Sequence, residues 1–493
     1  MALKKLQNYI NGEWVPSEST REIEVLNPAK AEPVGIMPLS TLAEADRAIE
    51  AAQAAFPEWR RTPPITRARY LFSLKEAMED AFEELSQIVT DENGKTLDEA
   101  RGEVRRAIEN VEVGTSIPSL LMGYNAEDVA QDIDEEALRQ PLGVFTMLAP
   151  FNFPAMVPWW FLPYAIACGN TFVLKPSRQT PMASNRLYEL MDEIMLPPGV
   201  VNLVNGTHDV ADRLMDHPYV KGVSFVGSTR AARHVYSYSA AHGKRVQAQG
   251  GAKNFLVIMP DADLGRTVQA LMTSTCGCAG QRCLAGSNIV CVGGVEKALV
   301  PMIADAMRSI KVGYGLERTT QMGPVISAEA KAKVIGYIDG AIQEGAKVLV
   351  DGRGVVVPGY EKGFFVGPTL LDNLTNTMTI AKEEVFGPVM GIMRVASLRE
   401  AIGLIHENPH GNAASIFTSN GGVAREFKYS VCCGNIGINI GIAAPMATFP
   451  FGGMKDSFFG DLHGQGRDGI EFYTDRKVVI TRWFSEKEIE GCN

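Results

Sequence analysis

Gly143-Val-Phe-Thr-Met-Leu148-Ala149-Pro150-Phe151-Asn152-Phe153-Pro154 is the stretch whose reading decides the fold. Residues 143–148 form a short apolar run with β-branched members, the signature of a strand buried on both faces. Pro150 and Pro154 then turn the chain, since neither can donate to a strand ladder, and helical sequence follows. The unit recurs at Thr171–Leu174, ended by Pro176, and at Val200–Val204, Val220–Val226 and Asn254–Met259. Repeated strand–helix–strand order requires crossovers, hence a parallel sheet with helices on its faces, an α/β fold. A second alternation over roughly 285–440 predicts a second α/β domain.

Upstream, Asn11-Gly12 between apolar residues predicts a hairpin over 8–16. Residues 42–116 carry Ala, Leu, Glu and Arg at helical spacing, interrupted at Thr62-Pro63-Pro64 and Glu92-Asn93-Gly94. Residues 124–140 are polar and acidic and read as a protruding segment; the tail Glu471–Phe484 reads as a strand able to pair with it or with another subunit. Two motifs are decoys. Gly464-Gln-Gly466-Arg-Asp-Gly469 matches a dinucleotide fingerprint but follows no strand, so a flexible loop is expected. Gly94-Lys95-Thr96 ends like a phosphate-binding loop, but Val89 stands where the first glycine is needed, so it reads as a break between helices.

The chain has 493 residues, enough for two or three domains. A net charge of −10 argues against a nucleic-acid or acidic-membrane partner. No apolar run approaches the roughly 18 residues of a bilayer span. Met1-Ala2-Leu3-Lys4-Lys5 leads into mixed polar sequence without the apolar core of a signal peptide, so a cytoplasmic location is expected. The eight cysteines show neither disulfide-framework nor zinc-ligand spacing, and no metal site is expected.

Four islands fit one chemistry. Asn152, held between prolines after a strand, has an amide free to donate to an oxyanion, although alone it reads as a turn residue. Lys175, at the carboxyl end of the next strand, sits where ligands of open α/β sheets bind. Phe225-Val-Gly227-Ser228-Thr229 runs a strand into a helix N-terminus, a pyrophosphate site or an ordinary helix cap. Gly280-Gln-Arg282-Cys283 singles out one cysteine, with Arg282 positioned to lower its pKa or to bind a substrate anion.

These islands, in this order, resemble the aldehyde dehydrogenase superfamily, as do Glu384-Val-Phe386-Gly-Pro388 and Pro450-Phe-Gly-Gly-Met-Lys455; the resemblance runs from Ile10 to about Val479. It implies a Rossmann-type dinucleotide-binding domain over 1–123 and 143–251, a catalytic α/β domain over 252–465, and a small β oligomerisation segment over 124–142 and 466–493. It also implies Cys283 as nucleophile, with Asn152 and the Cys283 N–H as oxyanion hole. Ala149, Phe151, Lys175, Arg178, Ser228 and Gly250 would bind NAD, while Glu384 and Phe386 would position its nicotinamide end. A homodimer or homotetramer is the implied assembly.

One position selects the branch. Hydrolytic members carry a Glu where this chain has Gln249, in Gln249-Gly250-Gly251-Ala252-Lys253-Asn254. A neutral amide is no general base near pH 7. Gly-Ala-Lys-Asn without that Glu is similar to the methylmalonate-semialdehyde dehydrogenase branch, as are Gly102-Glu103-Val104, Ala444-Pro445-Met446 and Phe458–His463. That branch implies a malonate or methylmalonate semialdehyde substrate, decarboxylation, and acyl transfer from a Cys283 thioester to coenzyme A, giving acetyl-CoA or propanoyl-CoA. Arg106 and Arg282 match its carboxylate-holding positions, with Arg105 the competitor for the first. Arg178 stands where the family usually has Glu, which makes NADP an alternative to NAD. A non-acylating dehydrogenase of another small anionic aldehyde is the second reading, and a non-catalytic structural protein on the same scaffold the third.

Overall fold

The structure, a computed structural model, describes residues 3–484; Met1, Ala2 and 485–493, with Cys492 and the end of the expected oligomerisation segment, lie outside the described residues. Two large sheets organise the chain. The first has eight strands in the order Phe458–Gly460, Arg245–Gln249, Val220–Val226, Val144–Leu148, Thr171–Lys175, Val201–Leu203, Asn8–Ile10, Glu13–Val15. Its five central strands are parallel, and the outer ones are antiparallel. Every residue of Val144–Leu148 is buried, as an apolar run without alternation requires. Asn11-Gly12 makes the expected hairpin turn, both residues at positive φ.

The helical stretch resolves into Leu42–Trp59, Pro64–Asp80, Phe82–Asn93 and Leu97–Thr115. Thr41 and Thr96 each form a reciprocal capping box with a Glu three residues on. Gly94 ends the third helix at φ 91°, a left-handed conformation that glycine adopts without steric cost.

The second sheet has seven strands in the order Lys347–Val350, Thr369–Asp372, Val389–Val395, Gly286–Val292, Asn254–Ile258, Ala413–Phe417, Asn435–Ile438, with a core of its own. A three-stranded sheet of Tyr124–Ala130, Ile133–Pro141 and Thr474–Arg482 stands apart from both. The tail strand pairs residue for residue with Ile133–Pro141 of its own chain. It is anchored by Arg245, which donates to the carbonyls of Phe472 and Thr474 at 2.8 and 3.0 Å, and by buried Tyr473, edge-on to Phe145 at 4.7 Å.

Three expectations change. Gly466–Phe472 is a helix rather than a loop, with Gly466 at φ 57° and Asp468 in its first turn. The segment still lacks the strand-to-helix context of the fingerprint, because Gly464 is bridged to Phe451 and no buried strand leads into it. Glu471 and Phe472 accordingly belong to that helix, not to the tail strand. Phe458–Gly460, expected within the second domain, closes the edge of the first sheet by pairing with Arg245–Gln249.

Candidate active site

Strand order in the first sheet reverses between Val144–Leu148 and Val220–Val226. The loops leaving their carboxyl ends must separate there, opening a crevice. A cleft of about 630 Å³ occupies it, and Ala149, Phe151, Asn152, Lys175, Arg178, Ser228, Gly250, Cys283, Glu384 and Phe386 all line it. The structure therefore gathers every residue assigned to dinucleotide and catalysis into one space. Ser228 caps the 13-residue helix Thr229–Ala241 through Ala231 N, so the cap and anion-site readings describe the same helix end. Burial, followed by the Arg178 charge, lowers the Lys175 pKa to about 8; its ammonium donates to Pro176 O at 3.1 Å. Arg178 itself is exposed at the rim. The cleft's size, its helix N-terminus and its cationic rim fit a dinucleotide.

Cys283 enters from the second sheet. The helix Leu264–Cys276 is followed by Cys278, Ala279 and Gly280, at φ 50°, 51° and 72°, which turn the chain toward the cleft. A Cβ on Gly280 would lie 2.2 Å from the Gly387 carbonyl oxygen, so only glycine permits this approach. The Cys283 carbonyl accepts from both Asn254 and Asn412 at 2.8 Å, pinning the backbone of the candidate nucleophile. Burial, then the nearby Glu384 charge, pushes its thiol up to about 12, although the Asn412 amide and the Cys283 and Leu284 N–H groups pull the other way. Arg282 gives the sulfur little help: its guanidinium donates to Cys278 Sγ at 3.2 Å, Thr273 O at 3.1 Å and Glu99 at 3.3 Å.

Asn152 is buried, and its Nδ2 donates one hydrogen bond, to Gln281 O at 3.0 Å, leaving the second N–H without a partner among the described residues. Glu384 accepts from Ala252 N at 3.1 Å; burial lifts its carboxyl to about 7 against that bond and the Lys333 and Lys253 charges. Phe386, at φ 59°, meets Phe151 edge-on at 5.7 Å.

A second cavity, of about 470 Å³, lies on the other side of Cys283, with Phe153, Met156, Trp160 and Phe451 among its apolar walls and Arg106 and Arg282 among its polar ones. Among the described residues Cys283 alone lines both cavities. Arg106 faces this space, lightly held by Glu109 at 3.1 Å, whereas Arg105 turns away into a two-bond pair with Glu79. Gln249 lines neither cavity: its Nε2 donates to Phe451 O at 2.9 Å behind the wall, and its Oε1 has no partner among the described residues.

The Aldehyde dehydrogenase family model matches residues 14–479. The chain belongs to the aldehyde dehydrogenase family. It is 47% identical to malonate-semialdehyde dehydrogenase 2 of Geobacillus kaustophilus, over 98% of this chain and 99% of that one. It is 46% identical to the malonate-semialdehyde dehydrogenase of Pseudomonas aeruginosa, over 97% and 96%. The crystal structure of methylmalonate-semialdehyde dehydrogenase from Oceanimonas doudoroffii superposes with a TM-score of 0.97 at 45% identity, covering 99% of this chain and 100% of that chain. A protein of Sinorhizobium meliloti assigned to the same activity and complexed with NAD gives a TM-score of 0.97 at 40% identity, with 99% of each chain covered.

Sequence reading missed several residues that build this aldehyde dehydrogenase's site. Glu99 accepts from Cys278 N at 2.7 Å as well as from Arg282, linking a helix cap to the turn that precedes Cys283. Asn254 was legible only as a family motif residue and Asn412 carried no local signal, because their partner lies far away in sequence. Lys95, set aside with the false phosphate loop, is fully buried and donates to Asn152 O at 2.8 Å.

Proposed function

We propose that the chain oxidises malonate or methylmalonate semialdehyde through a Cys283 thioester, with decarboxylation and acyl transfer to coenzyme A. The observation that carries the reading is the position of Cys283 as the one residue, among those described, shared by a cleft of dinucleotide size and a separate apolar cavity edged by arginines. The aldehyde enters the second cavity, with Arg106 and Arg282 attracting its carboxylate. The Cys283 thiol releases its proton to solvent, and the thiolate bonds to the aldehyde carbon. The oxygen that gains the electron pair is met by the free Asn152 N–H and the Cys283 backbone N–H; such a donor is worth about 10²–10³ in rate. NAD, held by Ala149, Phe151, Lys175, Ser228 and Gly250 with Glu384 and Phe386 at its nicotinamide end, supplies the hydride acceptor.

Loss of the hydride leaves a thioester on Cys283. In that thioester the carboxylate lies β to the carbonyl, so CO₂ leaves with the bonding pair remaining on carbon; the same donors hold the resulting enolate until it takes a proton. Coenzyme A thiolate then adds to the acyl carbon, and Cys283 departs as thiolate. Gln249 supports this ending over hydrolysis. An amide that donates to Phe451 O has no basic site with which to activate water. Arg178, exposed at the ribose end of the cleft with no carboxylate in its place, supports use of NADP beside NAD.

The seven cysteines among the described residues are all free, which supports a reducing, cytoplasmic setting. Among those residues no helix is long and apolar enough to cross a membrane. Exposed apolar side chains on the three-stranded sheet support a homodimer or homotetramer. Intact-mass analysis after incubation with malonate semialdehyde and NAD, without coenzyme A, tests the reading. One acetyl group on Cys283 is expected, discharged by coenzyme A; an unmodified Cys283 after turnover contradicts it.

A further inference from the structure

The buried ion pair of Lys95 and Glu103 has no role in the chemistry above, although Glu103 borders the second cavity. Both side chains are 0% exposed. Burying two charges is costly unless their remaining hydrogen-bonding positions are filled. Here those positions are filled from one direction. Lys95 Nζ, besides its bond to Glu103 Oε2, donates to Asn152 O at 2.8 Å and lies 4.0 Å from the centre of the Phe153 ring. Glu103 Oε1 accepts from Ala155 N at 2.8 Å and Met156 N at 3.2 Å. The contacts of this ion pair thus converge on residues 152–156. That segment needs outside support. Pro154 has no N–H, and Phe151 O and Pro154 O are likewise met by side chains, Asn93 at 3.0 Å and Ser184 at 3.3 Å.

We infer that Lys95 and Glu103 are positioning residues for the oxyanion donor, fixing the Asn152 backbone so that its free N–H is aimed at the atom bonded to Cys283. The inference rests on the proposed role of Asn152. Lys95 fixes the carbonyl of Asn152, and Glu103 fixes the two amides that follow the turn. The Gln281 carbonyl, two residues before Cys283, fixes the side-chain amide plane. An amide held at three places cannot follow the substrate, so its alignment must be built in. Loosening such a group by about 1 Å costs on the order of 10²-fold in rate. The Gly94-Lys95-Thr96 run is then a helix break whose lysine serves the loop at Asn152 instead of a phosphate.

The test measures the single-turnover burst of reduced dinucleotide, the dinucleotide dissociation constant by fluorescence titration, and melting temperature. The variants are Lys95→Met, Glu103→Leu, Glu103→Gln and Asn152→Ala. The expected result is a burst about 10- to 100-fold slower in Lys95→Met and Glu103→Leu, with dinucleotide affinity within about twofold of the parent. Glu103→Gln, which keeps an acceptor for Ala155 and Met156, is expected to recover most of the rate. If Lys95→Met and Glu103→Leu melt lower but burst at the parent rate, or if dinucleotide affinity falls in step with the burst, the inference is overturned. Should those two fail to fold, the uncharged double variant Lys95→Gln/Glu103→Gln carries the same measurements: an unchanged burst overturns the inference, and a slowed burst with intact affinity supports it. Asn152→Ala separates the two levels. If it bursts at the parent rate, the oxyanion reading itself fails; if it is slow while the ion-pair variants are fast, only the positioning role fails.

Discussion

Cys283 is held by its backbone more than by its side chain. Two asparagines fix its carbonyl, while its thiol, lifted to about 12 by burial and then by Glu384, makes no hydrogen bond to a basic side chain among the described residues. In the proposed reaction the charge of the attack is received elsewhere, by Asn152 and the backbone. At the opposite end of the cleft, Arg178 is exposed beside Lys175, whose pKa of about 8 reflects burial first and the Arg178 charge second. Replacing that guanidinium by a carboxylate in Arg178→Glu is expected to lower kcat/KM for NADP by about 10- to 100-fold relative to NAD, the scale of one charge-assisted pair lost and a repulsion gained. Steady-state rates with both cofactors check this; an unchanged ratio contradicts it. The residues proposed to touch reactants were legible because motif islands carry them in order. Their supports were not: Asn412, Glu99 and Lys95 each act on a partner 57 or more residues away, a relation no local pattern records.

At the scale of elements, strands and helices were legible where period and punctuation agree. Val144–Leu148 is a strand buried at every residue, and Gly94 ends its helix at positive φ. Gly466–Phe472 misled, since a glycine-rich, polar run looks like a loop until its first turn is seen packed on buried Tyr164, whose hydroxyl accepts from Gly466 N at 3.3 Å. Helix Phe82–Asn93 hides a further consequence. Glu92, fully buried, accepts from Met182 N at 2.7 Å and Ala183 N at 2.9 Å at the start of helix Met182–Glu193, and burial raises its carboxyl to about 8 against those bonds. A folded pKa above the unfolded value favours the folded state while the group stays protonated. That stabilisation is fully present below the unfolded carboxylate pKa and is lost as pH rises through about 8. Glu92→Gln removes the ionisation. Its melting temperature is therefore expected to rise relative to the parent between pH 6 and pH 9, as followed by thermal unfolding in matched buffers; a difference independent of pH contradicts the assignment.

Across the whole molecule, two α/β sheets meet at Cys283 and a third sheet stands outside both. The α/β alternation was legible from repeated apolar runs; the tail was legible as a strand with two possible partners, residues 124–140 or another subunit, and it pairs with Ile133–Pro141 of its own chain. The antiparallel edge at Phe458–Gly460 was not, because a three-residue strand carries too little periodicity to assign. The third sheet exposes Tyr124 by 72%, Val478 by 58% and Ile480 by 66%, more apolar surface than a solvated sheet face needs. Val478→Glu/Ile480→Glu is expected to reduce a dimer or tetramer to single chains by light scattering; a parent that is already monomeric contradicts this use of the sheet. The central claim concerns the fate of the acyl group on Cys283, and stopped-flow absorbance tests it most directly. Malonate semialdehyde and NAD are mixed with enzyme, with and without coenzyme A. The account predicts one reduced dinucleotide per Cys283 and then a stall, relieved when coenzyme A is added; equal steady-state rates in both mixtures would contradict it.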